Sequence, residues 1–336
     1  MSERLLWLVQ AFNAGKADAI NAGINAARYP LVCVIDADSI LEPLSLLRAT
    51  LPFVEDPTTI ATGGIIRIAN GCRVEAGRVV EVGLPRSWLA RFQVVEYLRA
   101  FLSGRVALSS MNALLIISGA FGMFRRDAVI EVGGFRADTI GEDMEIVARL
   151  HRRWRDTGRP YRIVFQPDPV CWTEAPEDRR ILGNQRNRWQ RGTCQVMAFH
   201  LRMTGNPRYG GVGMVGMPYV LIFEAIGPTI EVLGYAVTVV AVLMGDLDWV
   251  FVQMLFLVSV VFGSLISLTS VMLEEMSFRR YPRATDLLKL AGLGVLENFG
   301  YRQLATWWRF KGTIDFLRNK QGWGEMIRKG FSKPAA

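Results

Sequence analysis

Cysteine and histidine are scarce in this chain of 336 residues, with four of the first and two of the second. Cys33, Cys72, Cys171 and Cys194 form no C-x-x-C pair, and His151 and His200 are the only imidazoles. That pattern argues against a zinc site and a disulfide framework, and it fits a reducing cytoplasm. No signal peptide is visible. Leu5-Leu6-Trp7-Leu8-Val9 is too short for a membrane span, has no cleavage site and reads as a strand. One G-x-G-x-x-G string occurs at Gly211-Val212-Gly213-Met214-Val215-Gly216, but it follows no strand and leads into an apolar stretch. Close helix packing explains those small residues better than a dinucleotide site does.

Charge is also sparse, at 21% of residues against 51% hydrophobic, with a mean hydropathy of +0.22. The apolar excess is local. Two stretches, about 212–244 and 249–273, are each long enough to cross a bilayer core, and only Glu224 and Glu231 interrupt the first. The net charge of +8 is placed to match: Arg202 and Arg208 precede the first stretch, and Arg279, Arg280 and Arg283 follow the second. The loop between them carries Asp246 and Asp248. The positive-inside rule therefore predicts a multi-pass protein of the plasma (inner) membrane with its N-terminal domain in the cytoplasm. Arginines beside apolar spans and interfacial Trp249, Trp307 and Trp308 do not form a polar groove, so no nucleic-acid partner is expected. Residues 284–306 are ambiguous, because Lys289, Glu297, Asn298 and Arg302 interrupt a leucine-rich pattern. A crossing there would put the basic tail 302–333 outside, so an interfacial or re-entrant helix is expected.

The rest divides into a domain over 1–177, an amphipathic interfacial helix over 178–208 and a membrane region over 209–336. Helices are predicted over 17–27, 44–53 and 142–155, and strands over 31–35 and 59–68, with Gly63-Gly64 weakening the second strand. The pattern over 87–105 predicts an amphipathic helix, either packed on the domain or lying on the membrane surface. Residues 118–124 read as a Gly-rich bend and a short strand.

Three groups of residues are candidates for chemistry. Asp36 and Asp38 end the apolar run Leu31–Ile35, which reads as a buried parallel strand, and open α/β sheets bind ligands at such strand ends. Their hard oxygens suit a divalent cation that already carries phosphate oxygens, although a solvated turn has the same sequence. Glu142-Asp143 opens a helix, where carboxylates also occur as plain dipole caps. Gln185, Arg188 and Trp189 stand at i, i+3 and i+4 and so share a helix face, with Val196 and Met203 extending the stripe. A core tryptophan beside a solvated arginine is the alternative.

In order along the chain, Asn13-x-Gly15-Lys16-Ala17, Asp36-x-Asp38, Glu142-Asp143 and Gln185-x-x-Arg188-Trp189 resemble the membrane-embedded, processive family 2 glycosyltransferases. This is the group of cellulose, chitin and hyaluronan synthases. The resemblance covers residues 13–191 and implies an α/β fold: a GT-A-type, Rossmann-like catalytic domain, then amphipathic interfacial helices and C-terminal transmembrane helices. It implies inverting transfer of a sugar from a nucleotide-sugar, UDP-linked, to a growing glycan, with Mg²⁺ or Mn²⁺ as cofactor. Asp36 and Asp38 would contact ribose, metal and diphosphate, and Lys16 would lie near the nucleotide. Asp143 would be the general base, with Glu142 the runner-up. Arg188 would pair with phosphate oxygens, Gln185 would supply a hydrogen bond, and Trp189 would stack on a sugar ring. The 118–124 bend would line the acceptor. Implied partners are the donor, a glycan or lipid-linked acceptor, the bilayer and other synthase subunits.

Family members carry a first strand and a further aspartate motif before D-x-D. Only 35 residues precede Asp36, so the catalytic domain reads as N-terminally truncated. No gating-loop motif follows Trp189. Single-sugar transfer to a lipid carrier and a non-catalytic synthase-like membrane subunit therefore stay open. Glu224 and Glu231, seven apart, are expected either to line a polar path or to pair with a basic residue of another helix.

Overall fold

The computed structural model describes residues 15–245, 248–281, 283–320 and 322. The predicted strand at 5–9, the Asn13 end of the first motif, Asp246 and the basic tail beyond 322 lie outside the described residues. The first half of the chain alternates helix and strand. Helix α1 (Lys16–Ala26) precedes strands β1 (Leu31–Ile35) and β2 (Ile40–Leu41), then α2 (Ser45–Glu55) and β3 (Thr59–Ile68). A hairpin of β4 (Arg73–Glu75) and β5 (Arg78–Glu81) leads to α3 (Trp88–Leu98) and α4 (Val106–Ser110). Strand β6 (Phe121–Arg125), α5 (Arg126–Glu131), α6 (Glu142–Asp156), β7 (Arg162–Thr173) and α7 (Arg179–His200) complete this part.

Five strands form one mixed sheet in the order β1-β6-β3-β7-β2. Only β3 and β7 run parallel; the other neighbours are antiparallel. Strand β3 is central and buried at every position. Gly63-Gly64 does not weaken it: a Cβ on Gly64 would lie 2.4 Å from the Phe121 ring and 2.7 Å from Pro169 O. The bare backbone lets β6 and a bulge of β7 press against β3.

Strand β1 departs from the expectation of a buried parallel strand. It pairs antiparallel with β6 alone, and Cys33 and Ile35 are exposed. Among the described residues its other edge has no strand beside it. A β-branched run encodes the extended backbone, but it does not encode the neighbours on either side.

The predicted 87–105 helix is α3 followed by a π-helical segment, Arg99–Arg105. Val94, Val95, Leu98, Phe101 and Leu102 are buried, so this element packs on the α/β domain. Among the described residues beyond α7, four longer helices follow. Helix α8 spans Val212–Met244, with π-helical segments at Val212–Gly216 and Val220–Ile226, and α9 spans Trp249–Ser277. Both are long and apolar enough to cross a membrane. The first half of α8 packs on the domain through buried Val212, Met217, Val220 and Ala225, while Leu233, Val237 and Leu243 in its second half are exposed. The Gly-rich string is the close contact: a Cβ on Gly211 would sit 2.1 Å from Met111 O, and one on Gly216 2.5 Å from Ala113 O.

The ambiguous 284–306 segment breaks into α10 (Ala284–Leu296) and α11 (Tyr301–Leu317). Thirteen residues make α10 about 20 Å long, short of a bilayer core. Helix α11 crosses α7 closely, since a Cβ on Gly312 would meet Asn187 O at 2.7 Å. Both glutamates of α8, Glu224 and Glu231, turn toward α11. Arg309 donates to Glu224 at 2.5 Å, and Thr306 donates to Glu231 at 3.0 Å. For Glu224 the structure thus supplies the basic partner that the sequence left as one alternative.

Candidate active site

The ladder between β1 and β6 sets one wall of the site. It continues past Ile35, where the Asp36 N–H donates to Ala120 O at 3.4 Å, so Asp36 lies beside the Ser118–Ala120 bend. Lys16, the first residue of α1, reaches into the same place. Its Nζ donates to Asp36 Oδ1 at 2.6 Å and to Gly119 O at 3.1 Å, and lies 3.4 Å from Glu142 Oε1. Asp38 belongs to the turn that follows, with both carboxylate oxygens shielded from solvent.

The opposite wall is the start of α6. Asp143 Oδ2 accepts from the Gly119 N–H at 3.1 Å and Oδ1 from the Met144 N–H at 2.8 Å. Glycine at two positions brings this turn against α7. A Cβ on Gly141 would meet Gly192 Cα at 3.2 Å, so the backbones touch where any side chain would hold them apart. Gln195 fastens the contact by accepting from the Ile140 N–H at 3.0 Å. One to two turns before Gly192 on α7 stand Trp189, Arg188 and Gln185. Gln185 is 7% exposed and its Oε1 has no hydrogen-bond partner among the described residues. That orphan acceptor is a place for a ligand donor.

The electrostatics show how tightly the charges gather. Burial works against the charge of Lys16, yet Asp36, then Glu142 and Asp143, raise its pKa above the ordinary lysine value. Burial lowers the pKa of Arg188, and Glu142, Asp143 and Asp36 oppose that shift. Lys16, Asp36, Glu142, Asp143 and Arg188 therefore form one cluster. Trp189 is separate in character. It is 42% exposed and stacks on Arg186, so the predicted stripe through buried Val196 and Met203 does not include it, and it is no core tryptophan.

Sequence reasoning missed one contributor and gave the other only as part of the 118–124 bend. Arg105 closes the π-helical segment; burial pushes its pKa down to about 10, and Asp143 is first among the groups opposing that shift. Arg105 ends the stretch where α-geometry gives way to π-geometry, and the helical periodicity of 87–105 hides that break. The other is the Gly119 peptide, which contacts Lys16 through its carbonyl and Asp143 through its N–H.

Burial, and next the adjacent charge of Asp143, raise the pKa of Glu142 above 4.5, with Lys16 opposing. The folded protein thus holds this proton more tightly than the unfolded chain does, and stability falls as pH rises through the raised value. Above it the charged carboxylate is a liability that Glu142→Gln removes. The Tm of Glu142→Gln should match the parent near pH 4.5 and exceed it at pH 8, measured by thermal unfolding across that range. A gap that narrows with rising pH contradicts the argument.

Among the described residues, no group of three or more His, Cys, Asp or Glu side chains is placed to hold a metal ion. His151 is a core group, with Nδ1 2.6 Å from Tyr161 Oη and Nε2 2.8 Å from Leu114 O. Asp36 and Asp38 alone fit a cation that brings further oxygens with it, since Mg²⁺ bound with substrate phosphates needs only one or two carboxylates.

Comparison with known proteins gives a consistent picture. Residues 2–192 match the family described as Glycosyltransferase like family 2. The poly-beta-1,6-N-acetyl-D-glucosamine synthase of Staphylococcus aureus is 34% identical over 187 residues, which is 55% of this chain and 40% of that protein. The Staphylococcus epidermidis synthase of the same name is 30% identical over 185 residues, with the same coverage. The chain spans less than half the length of these relatives. Among solved structures, the mannosyltransferase PcManGT from Pyrobaculum calidifontis, in complex with GDP-Man and Mn²⁺, is similar with a TM-score of 0.53. Identity there is 18%, over 93% of this chain and 69% of that one, so the likeness establishes the α/β GT-A-type fold. With its first 192 residues matched almost throughout, this chain belongs to glycosyltransferase family 2.

Proposed function

We propose that this protein is a membrane-bound inverting glycosyltransferase that moves a sugar from a UDP-linked donor to a growing glycan. The observation that carries the reading is the meeting of Lys16, Asp36, Glu142, Asp143 and Arg188 beyond the carboxyl end of β1. Lys16 and Arg188 offer positive charge to a diphosphate, Arg188 through a planar fork that matches phosphate oxygens. Asp38 and Asp36 would hold Mg²⁺ or Mn²⁺, which when bound neutralises charge developing on the leaving nucleotide. Asp143 accepts the proton of the attacking hydroxyl, its carboxylate held by the Gly119 and Met144 N–H groups. Gln185 offers its orphan acceptor, and Trp189 an exposed ring face for the acceptor sugar.

Two helices that can cross a membrane support attachment to the bilayer. Arg280 and Arg283, just past α9, pair with Glu42 and Glu81 of the catalytic domain. The basic end of that helix and the domain therefore share one side, which supports a cytoplasmic catalytic domain at the plasma membrane.

The test uses the purified protein in detergent micelles with radiolabelled UDP-N-acetylglucosamine and Mg²⁺ or Mn²⁺, the sugar taken from the names of the relatives. Labelled polymer with UDP released in step is the expected result. Label that stops at one sugar on a lipid points to the carrier reading. No transfer from any UDP-sugar overturns the proposal.

A further inference from the structure

Arg186 lies inside the Gln185–Trp189 motif, yet it does not face the carboxylate cluster. Its side chain is 4% exposed, and Nη2 donates to Glu96 Oε2 on α3 at 2.7 Å. The Tyr301 hydroxyl, at the start of α11, donates to that same oxygen at 2.8 Å. The Tyr301 ring is itself fixed, stacked on Phe92 with centroids 4.8 Å apart. One carboxylate thus receives donors from two other helices, and the guanidinium it holds has little freedom left. The Trp189 ring lies over that guanidinium, with Cζ 4.5 Å from the ring centroid.

An exposed tryptophan on a helix surface ordinarily exchanges between rotamers, because nothing outside the helix selects one. A planar cation against one face selects one. We propose that Arg186, clamped by Glu96 and Tyr301, is a positioning residue: it fixes the Trp189 indole with one face on the guanidinium and the other face presented to the acceptor sugar. This rests on the reading of Trp189 as the acceptor platform. A glutamine or alanine at 186 would leave the ring free to turn. Lysine is the more telling replacement, because it keeps the charge beside Glu96 but cannot stack as a flat fork.

The experiment is a double-mutant cycle on the full protein in micelles, with UDP-N-acetylglucosamine as donor and an N-acetylglucosamine oligosaccharide as acceptor. Arg186→Lys should raise the acceptor KM about tenfold, as a displaced contact group does, and leave the donor KM and Tm unchanged. Trp189→Leu should raise the acceptor KM as well, and adding Arg186→Lys to it should change nothing further. Additive effects, or an unchanged acceptor KM in folded Arg186→Lys, overturn the link between the two residues. An unchanged acceptor KM in Trp189→Leu alone overturns the platform reading, and this proposal with it. Should Arg186→Lys fail to fold, Tyr301→Phe decides in its place: it removes one donor to Glu96 and leaves the ring on Phe92. A rise in acceptor KM supports the clamp, and no rise overturns it.

Discussion

Asp143→Asn is expected to lower turnover by about 10²–10⁴-fold while donor binding survives, the loss that follows when a positioned base is removed. The amide matches the carboxylate in shape, and its oxygen can still accept from Gly119 or from Met144. What disappears is the ability to take up a proton. Donor affinity should persist because the groups offered to the diphosphate, Lys16 and Arg188, are untouched. The neighbouring carboxylate supplies the control. Glu142 is buried and lies 3.4 Å from the Lys16 ammonium, whereas Asp143 is held by the Gly119 and Met144 N–H groups. Glu142→Gln should therefore retain far more turnover than Asp143→Asn. The opposite order would transfer the base role to Glu142. Unchanged glycan output from a strain complemented with Asp143→Asn would leave only the non-catalytic reading. The measurement is kcat and donor KM for both variants, with nucleotide binding followed by calorimetry.

The contrast between those two adjacent carboxylates shows where sequence reading stops. Their placement at a helix start was legible, as were α1, α6, α7 and the strand leading to Asp36, because each has a strong local pattern and a clear boundary residue. The charges that meet at the site lie on elements of that kind: Lys16 opens α1, Asp36 follows β1, Glu142-Asp143 opens α6 and Arg188 lies within α7. The antiparallel pairing of β1 with β6 was not legible, because strand neighbours depend on topology that no local window contains. Arg105 was hidden by a change of helical geometry within one apolar periodicity, and Arg186 by a motif that leaves its position unspecified. Residues 284–306 show the limit from the other side. Their interrupting polar residues were visible, but the break at Glu297–Gly300 depends on where those side chains find partners. Glu297 is fully buried and accepts from Ser267 at 2.6 Å, a contact across thirty positions of sequence.

The same long-range logic singles out Arg67 and Glu274. Removing either one is expected to destabilise the protein by about 3–5 kcal/mol, the usual consequence of leaving one buried charge unpaired. Arg67 stands near the end of β3 and Glu274 in the last turns of α9, and their two hydrogen bonds of 2.8 and 2.7 Å form a fork-to-carboxylate pair. Neither side chain is more than 2% exposed, so water cannot replace the missing partner. The Arg283–Glu81 pair of similar length, 2.9 Å, is the comparison: its side chains are 67% and 48% exposed. Surface pairs of that kind contribute about 0–1 kcal/mol, so Arg283→Ala should barely move the unfolding midpoint. Replacing both buried partners, as Arg67→Met with Glu274→Leu, should restore much of the loss, since the cost lies in the orphaned charge more than in the absent bond. Unfolding of Arg67→Met, Glu274→Gln, the double variant and Arg283→Ala in one detergent gives the answer. Equal small losses from Glu274→Gln and Arg283→Ala would mean that water reaches the buried pair. A deep loss from each single variant with recovery in the double would identify this contact as what fastens the long apolar helix α9 to the central strand of the catalytic sheet.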